Sequence, residues 1–368
     1  MLTLVLLFGC AIAQEDVPEK RVTFYTTYGF QSENGWSIPL KLWVHEEPDS
    51  IRRLAASAAQ GELQDRAELQ ELTAEQEERF IFRTHDFIAD SESNELVLFR
   101  FDKDPDSTTF YVRDAESRVG TDRNGLIEGS ITISEEKADL LLAVQESGDG
   151  WLTFRAVSED HGGTGKVRLI PPEGISVISD VDDTVKVTEI PAGEKAILNN
   201  TFFREFKATP CMADLYSAMN ADTAFHYVSG GPWQMYQPLS EFLFSDEAGF
   251  PEGSFHMKNV RTNPFESESY TDIWSLIASG SQQVTFEQKV EQITALLHRF
   301  PERRFILIGD SGEKDPEVFA EIRRNFADQL ADIRIRDVVN AAEEDQERLE
   351  GMTVILPDAD AAGACQLQ

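Results

Sequence analysis

Ile175-Ser176-Val177-Ile178-Ser179-Asp180-Val181-Asp182-Asp183-Thr184 is an apolar run that ends in three carboxylates and a hydroxyl. Ile175 to Ile178 has the length and β-branched content of a buried strand. In an open α/β sheet the carboxyl ends of such strands face the ligand crevice. Asp-x-Asp-x-Thr at that place gathers several oxygen ligands around one point. Oxygen clusters of this kind suit Mg²⁺, and they offer an aspartate as a nucleophile toward phosphorus. Acidic clusters after strands are also common as solvated turns, and the weight of the motif comes from the segments that follow it.

Pro171-Pro172-Glu173-Gly174 precedes the run and marks a boundary. Beyond it, short apolar runs at 175–179, 224–229, 304–309 and 333–337 alternate with helical patterns at 213–219 and 286–300. Thr353-Val354-Ile355-Leu356 reads as an edge strand. Alternation of this kind predicts a parallel, doubly wound sheet over 171–368.

Three further segments on this frame carry chemistry. In Ser229-Gly230-Gly231-Pro232-Trp233 a strand ends in a hydroxyl followed by two glycines. The hydroxyl and nearby N–H groups can bind phosphate oxygens, and glycine permits close backbone approach; an ordinary capped turn is the plainer reading. Phe286, Val290, Ile293 and Leu297 share one helical face, and Lys289 borders it, placed to reach inward to a phosphate or to remain a surface lysine. In Gly309-Asp310-Ser311-Gly312-Glu313-Lys314-Asp315, Asp310 and Asp315 can complete a metal site or orient its waters. Gly309-Asp310-Ser311-Gly312 also matches the nucleophile segment of trypsin-like serine proteases. That reading fails because the motif follows an α/β strand, no suitable His and Asp precede it in a β-barrel pattern, and Glu313 stands where Gly is expected.

Residues 20–170 read differently. Aromatic and β-branched runs at 22–28, 38–44, 95–101, 109–112 and 151–157 predict strands, and Thr121-Asp122-Arg123-Asn124-Gly125 carries a turn signal before another. The pattern predicts a small antiparallel β-sandwich. It is interrupted at 51–79 by a stretch rich in Ala, Glu, Gln, Leu and Arg, expected as a charged surface helix with a break at Gly61.

A chain of 368 residues accommodates two domains, and its net charge of -33 argues against nucleic-acid binding. Leu2 to Phe8 followed by Ala11-Ile12-Ala13 is similar to a short signal peptide over 1–13, and Leu7-Phe8-Gly9-Cys10 admits a lipid anchor on Cys10. Either predicts export, to a periplasm or beyond the cell. No later stretch is long and apolar enough to span a membrane. Cys211 and Cys365 remain after cleavage; a lone pair is no disulfide framework, and Cys211 reads as packing. No Cys or His cluster has zinc spacing.

In their order, the four segments resemble the haloacid dehalogenase superfamily of aspartate-based phosphotransferases. Ile178-Ser179-Asp180-Val181-Asp182-Asp183-Thr184, Tyr227-Val228-Ser229-x-x-Pro232-Trp233-x-x-Tyr236, and residues 306–317 followed by Ile333-Arg334-Ile335-Arg336-Asp337 are similar to the catalytic domain of the actin-patch phosphatidate phosphatases. The resemblance covers about 173–337. It is weaker before that, where Tyr28-Gly29, Leu40-Lys41-Leu42 and residues 121–125 fit. The chain departs from the family at Gln288, where His is frequent, and at Gly231, where Ser is usual.

The resemblance implies Mg²⁺-dependent hydrolysis of phosphatidate to diacylglycerol and phosphate through an aspartyl-phosphate. It implies Asp180 as nucleophile and Asp182 as general acid, then base. It implies a metal held by Asp180, the backbone carbonyl of Asp182 and Asp310, supported by Asp315, with Ser229 and Lys289 on the phosphoryl oxygens. Thr184, Gly230, Trp233 and Lys258 are the candidate substrate contacts. Trp233, Tyr236 and Phe255 could meet acyl chains or lie in the core. His256, Lys258 and Arg261 form a small basic cluster that could attract a headgroup or pair with local acids. Residues 185–223 are too few for a large lid, which would leave the site open to a phospholipid at a membrane or micelle surface. The alternatives are a phosphatase of soluble phosphomonoesters with the same mechanism, and a binding protein with a vestigial site.

Overall fold

The structure, a computed structural model, describes residues 18–258, 282–359 and 363–368. The expected signal segment, Cys10 and Arg261 lie outside them. In the N-terminal half the chain forms β1 (Lys20–Phe24), β2 (Thr27–Ser32), β3 (Gly35–Glu46), the helices α1 (Ser50–Arg66) and α2 (Ala74–Ile88), β4 (Asp90–Ser91), β5 (Phe99–Phe101), β6 (Leu126–Ile133), α3 (Glu135–Gln145), β7 (Trp151–Ala156), β8 (His161–Gly162) and β9 (Thr164–Leu169). These strands join in one hydrogen-bonded network along the path β5-β7-β9-β2-β3-β1-β8, with β4 and β6 on β3. Pairing is antiparallel except for β1 with β8 and β2 with β9, so the sheet is mixed where antiparallel pairing throughout was expected. Period-2 burial along β3 turns Ile38, Leu40 and Leu42 into one core with Phe99, Leu152, Phe154 and Val167.

The expected helix at 51–79 is two helices, and the break is not at Gly61, which lies inside α1. The second helix starts at a capping box in which Thr73 accepts from the Gln76 N–H and the Gln76 side chain accepts from the Thr73 N–H. Within 51–79 most positions are exposed, with Arg52, Ala59, Leu63 and Ala67 turned inward, and the heavier burial comes in the turns of the second helix beyond 79. Phe80, Arg83, Phe87 and Ile88 are buried, and Arg83 Nη1 donates to the carbonyls of Thr201 (3.0 Å) and Arg204 (2.7 Å) in the C-terminal half.

That half contains β10 (Ile175–Ser179), α4 (Glu194–Leu198), α5 (Met212–Ser217), β11 (Ala224–Pro232), α6 (Tyr236–Leu243), β12 (Ser254–Lys258), α7 (Gln282–Arg299), β13 (Arg304–Asp310), α8 (Asp315–Phe326), β14 (Leu330–Arg336), α9 (Ala341–Glu344), β15 (Thr353–Ala359) and β16 (Cys365–Leu367). The sheet order is β12-β11-β10-β13-β14-β15-β16, parallel up to the antiparallel β16. The 353–356 run is therefore internal, and β16 takes the edge. Alternate strand residues face opposite layers. Val177 and Tyr227 pack with Met212, Tyr216 and Leu239; Ile178, Val228 and Leu307 pack with Ile293, Leu296 and Val318. Helices thus cover both faces of the sheet, as a buried parallel sheet requires.

Further bonds fix the second half and its junction with the first. The buried Arg303 guanidinium donates to the carbonyls of Pro171, Glu173 and Ile175 and to Ser176 Oγ, clamping the segment that enters β10. The Phe255 N–H donates to Thr26 O at 3.1 Å, joining β12 to the N-terminal sheet. Cys211, read from the sequence as packing, is instead disulfide-bonded to Cys365, 154 residues away, and pins the edge strand to the start of α5. A cross-link over so long a loop restricts the unfolded chain strongly. Replacing both cysteines by serine is expected to lower stability by about 2–4 kcal/mol, measured as a lower urea midpoint with a steeper slope, because the unlinked unfolded chain exposes more surface.

Candidate active site

Strand order places the site. The chain runs outward from β10 through β11 to β12, then returns to β13 on the other side of β10. The carboxyl ends of β10 and β13 are therefore neighbours at a topological switch point, where the connections diverge and leave a crevice. Register pairs Ser179 with Ile308, and the Asp180 N–H donates to Ile308 O at 2.9 Å. Asp180, just past β10, thus meets Asp310 at the end of β13.

Asp180, Asp310 and Asp315 are all buried, and one carboxylate oxygen from each lies within 4.8 Å of the others. Lys289 reaches in from α7, where Ile293, Leu296 and Leu297 share its buried face, and donates to Asp180 Oδ1 at 2.7 Å and Asp315 Oδ1 at 2.6 Å. Glu313, which the sequence reading passed over as a protease mismatch, lies 3.5 Å from the same ammonium. Asp310 Oδ1 accepts from the N–H groups of Gly312 (2.6 Å) and Glu313 (3.2 Å). Gly309 makes the cluster possible: a Cβ there would stand 2.4 Å from Asp315 Oδ2.

One ammonium cannot balance four acids. Two unit charges 4 Å apart repel by about 4 kcal/mol at an effective dielectric near 20. Burial, then repulsion from Asp315, Glu313 and Asp182, pushes the Asp180 carboxyl well above its ordinary range, with Lys289 opposing. Burial and then Asp315 and Asp180 do the same to Asp310, and burial with Asp315 and Asp182 raises Glu313 against the pull of Lys289. For Lys289, burial alone would lower the ammonium, but Asp180, Asp315 and Glu313 outweigh it and hold it well above its usual value. Asp180 Oδ2 and Asp310 Oδ2 are buried without a hydrogen-bond partner. Buried polar atoms are rarely left so. Two orphaned oxygens from two carboxylates of one cluster suit a hard divalent cation, so the residues fit the Mg²⁺ that the resemblance implies.

Asp182 is in a different environment, with its side chain 23% exposed. Its Oδ1 accepts from Lys186 Nζ at 3.2 Å and from Thr188 Oγ1 at 2.5 Å. Burial would raise this carboxyl, but Lys186, the Thr188 and Lys186 hydrogen bonds and Lys289 together hold it below its ordinary value. Asp183 is in the left-handed region (φ 55°), and its carboxylate accepts from the N–H groups of Thr188, Glu189 and Ile190 at 2.6–2.8 Å, tying the loop into a tight turn. The Lys186 and Thr188 contacts were invisible in the sequence because this turn, not helical spacing, creates them.

The other expected site residues are brought together unevenly. Ser229 is buried at the end of β11's regular register, and its Oγ accepts from the Gly231 N–H at 3.0 Å. Gly230 is half-buried, and a Cβ there would stand 2.8 Å from Thr285 on α7. Gln288 donates to Ser229 O at 3.3 Å. Thr184 is fully buried, with its carbonyl bonded to Thr209 Oγ1. Trp233 is core, 4.7 Å edge-on from Trp43 of the N-terminal sheet; Tyr236 bonds Thr26 through its hydroxyl, and Phe255 packs on Tyr227. Lys258 ends β12, half-buried, opposite Pro232.

The raised Asp180 and Asp310 carboxyls predict a pH effect on the metal-free protein. The folded chain keeps protons at these two groups that the unfolded chain releases above about pH 4, so their contribution to stability is greatest at acid pH and falls as pH rises toward neutrality. Asp310→Asn is expected to flatten that slope in thermal unfolding, and added Mg²⁺ to restore stability at neutral pH only when Asp310 is present.

Residues 175–337 match the family model described as phosphatidate phosphatase APP1, catalytic domain. The phosphatidate phosphatase APP1 of Saccharomyces cerevisiae is 31% identical over 176 residues, 47% of this chain and 27% of that protein. An uncharacterized protein of Schizosaccharomyces pombe is 27% identical over 178 residues, 48% of this chain and 27% of its own length. The chain therefore matches about a quarter of the length of each relative. Among solved structures, a carbohydrate esterase superposes with a TM-score of 0.23 at 11% identity, covering 85% of this chain and 87% of that one, below the range of a shared fold. The order and spacing of the acidic segments, their convergence at the switch point and the family match fall on the same stretch: residues 175–337 are similar to the phosphatidate phosphatase APP1 catalytic domain.

Proposed function

We propose that this chain is a Mg²⁺-dependent phosphatidate phosphatase that works through an aspartyl-phosphate on Asp180. The observation that carries the reading is the pair of orphaned buried oxygens, Asp180 Oδ2 and Asp310 Oδ2, beside an ammonium that fixes the other oxygen of Asp180. Mg²⁺ held by Asp180, the backbone carbonyl of Asp182 and Asp310, with Asp315 behind them, would offset the negative charge of the phosphoryl group.

The chain's own groups have distinct tasks. Lys289 orients Asp180 for attack on phosphorus and, with the Ser229 hydroxyl, donates to the phosphoryl oxygens. As the new Asp180 O–P bond forms, the bond from phosphorus to the glycerol oxygen breaks, and Asp182 gives that oxygen a proton. Water then attacks phosphorus, Asp182 takes its proton, and the O–P bond to Asp180 breaks to release phosphate. The ion pair with Lys186 favours the ionised Asp182 that the second step needs. Turnover is thus expected to decline as rising pH depletes the protonated form required for the first.

The same reading extends to the rest of the chain. The second half is wound in the haloacid dehalogenase manner, supported by helices on both faces and the site at the switch point. The N-terminal half serves as a sandwich-like accessory domain, supported by the core shared between β3 and β5, β7 and β9. Export is supported by the Cys211–Cys365 disulfide, a bond that persists in oxidising compartments. Among the described residues no helix is long and apolar enough to cross a membrane, so the lipid would be met at a surface.

Phosphate release from phosphatidate in detergent micelles tests the proposal, with Mg²⁺ and with a chelator, for wild type, Asp180→Asn and Asp182→Asn. Release is expected to require Mg²⁺ and Asp180, and Asp182→Asn to lower it by about 10²–10⁴-fold. Turnover of soluble phosphate esters but not phosphatidate would keep the chemistry and remove the lipid. No turnover of either would leave a binding protein with a vestigial site.

A further inference from the structure

Between the N-terminal sheet and α7 lies a cleft of about 810 Å³, inside the range of small-molecule sites of roughly 300–1,000 Å³. On α7, Gln288, Gln292, Ala295 and Arg299 recur at helical spacing and line it, while Lys289, Ile293, Leu296 and Leu297 fill the face turned to the sheet. The helix therefore serves two sites at once. Gln288 bonds Ser229 O, and Lys258 pairs in register with Pro232, so the inner end of the cleft abuts the Ser229–Pro232 loop.

The lining is amphiphilic. Phe30, Pro39 and Ala295, each partly exposed, supply apolar surface, and Lys41, Arg113, Lys258 and Arg299 bring four cations against three carboxylates, in a chain of net charge -33. Lys41 is held by Glu128 at 3.1 Å, Arg113 by the Tyr111 hydroxyl at 2.7 Å and Arg299 by the Tyr28 hydroxyl. Lys258 has no hydrogen bond or ion pair among the described residues, and burial alone acts on its ammonium, lowering it. Desolvating an ammonium without compensation is unfavourable, which marks Lys258 as awaiting a partner. Beside it, burial pushes the His256 imidazole down to about 3, leaving a neutral ring bonded to Ser254 Oγ (2.9 Å), which in turn bonds His226 (2.7 Å).

We propose that this cleft receives the glycerol-ester part of the substrate, with Lys258 donating to an ester carbonyl and the apolar wall taking the first acyl carbons. The site then selects acylated phosphomonoesters over small soluble ones; the inference rests on the phosphatase reading of the carboxylate cluster. It gives Lys258 a role distinct from the phosphate contacts of Ser229 and Lys289.

The test is calorimetric titration of full-length Asp180→Asn protein with dioctanoyl phosphatidate below its aggregation concentration and with glycerol 3-phosphate. Adding Lys258→Met is expected to weaken phosphatidate binding about tenfold, the loss of one charge-assisted hydrogen bond, and to leave glycerol 3-phosphate unaffected; Lys258→Arg should restore most of it. Ala295→Trp, which fills the cleft from α7, should also weaken phosphatidate alone. Unchanged phosphatidate binding in both variants, equal weakening of both ligands by Lys258→Met, or no phosphatidate binding to the parent would overturn the proposal. Phosphate release by wild-type protein is read separately: a chain that binds phosphatidate through Lys258 but releases no phosphate keeps the cleft and loses the catalytic reading.

Discussion

The ion pairs of Lys289 with Asp180 and Asp315 are the constraint on which the rest of the C-terminal half depends. Folding brings four acids to one buried point and supplies a single ammonium against them. Such a cluster is costly unless every charge is paired or coordinated. The sheet accepts that cost at its switch point because the same unmet charge gives the site its appetite for a cation and a phosphoryl group. Features that look local follow from it: a glycine at 309 where any side chain would displace Asp315, and an α7 face that delivers one lysine to the cluster.

The site also shows how environment separates two carboxylates that the sequence presents as near equals. Asp180 and Asp182 stand two residues apart, yet one faces the cluster and the other faces solvent with Lys186 at its side. The separation is made by the turn at Asp183, whose carboxylate gathers three backbone N–H groups and bends the chain away from the sheet. A nucleophile and a proton carrier need opposite surroundings, and one left-handed residue directly after them helps to provide both.

Much of this was legible in the sequence, for identifiable reasons. β10 and β13 are short apolar runs ending in acids, and a buried parallel strand can hardly read otherwise. Lys289 was visible through the period of Phe286, Val290 and Ile293. What escaped notice depends on long-range closure. Cys211 meets Cys365 only because β16 folds back along β15. Trp233 faces Trp43 rather than a ligand because the N-terminal sheet covers that side of the loop. Glu313 joined the site through proximity to Lys289, which no local pattern records. The helix at 74–88 ran further than its composition suggested because packing against residues 199–203, rather than intrinsic propensity, holds its last turns.

The Arg83 bonds to Thr201 and Arg204 and the Phe255–Thr26 backbone bond bear on more than architecture. They span the junction between the two halves with largely buried groups, so separating the halves would strand several hydrogen-bonding atoms at once. The N-terminal half is therefore not a passenger on a flexible tether. The two sheets should melt as one thermodynamic unit, and the width of the cleft between them is set at folding rather than negotiated each time a ligand arrives.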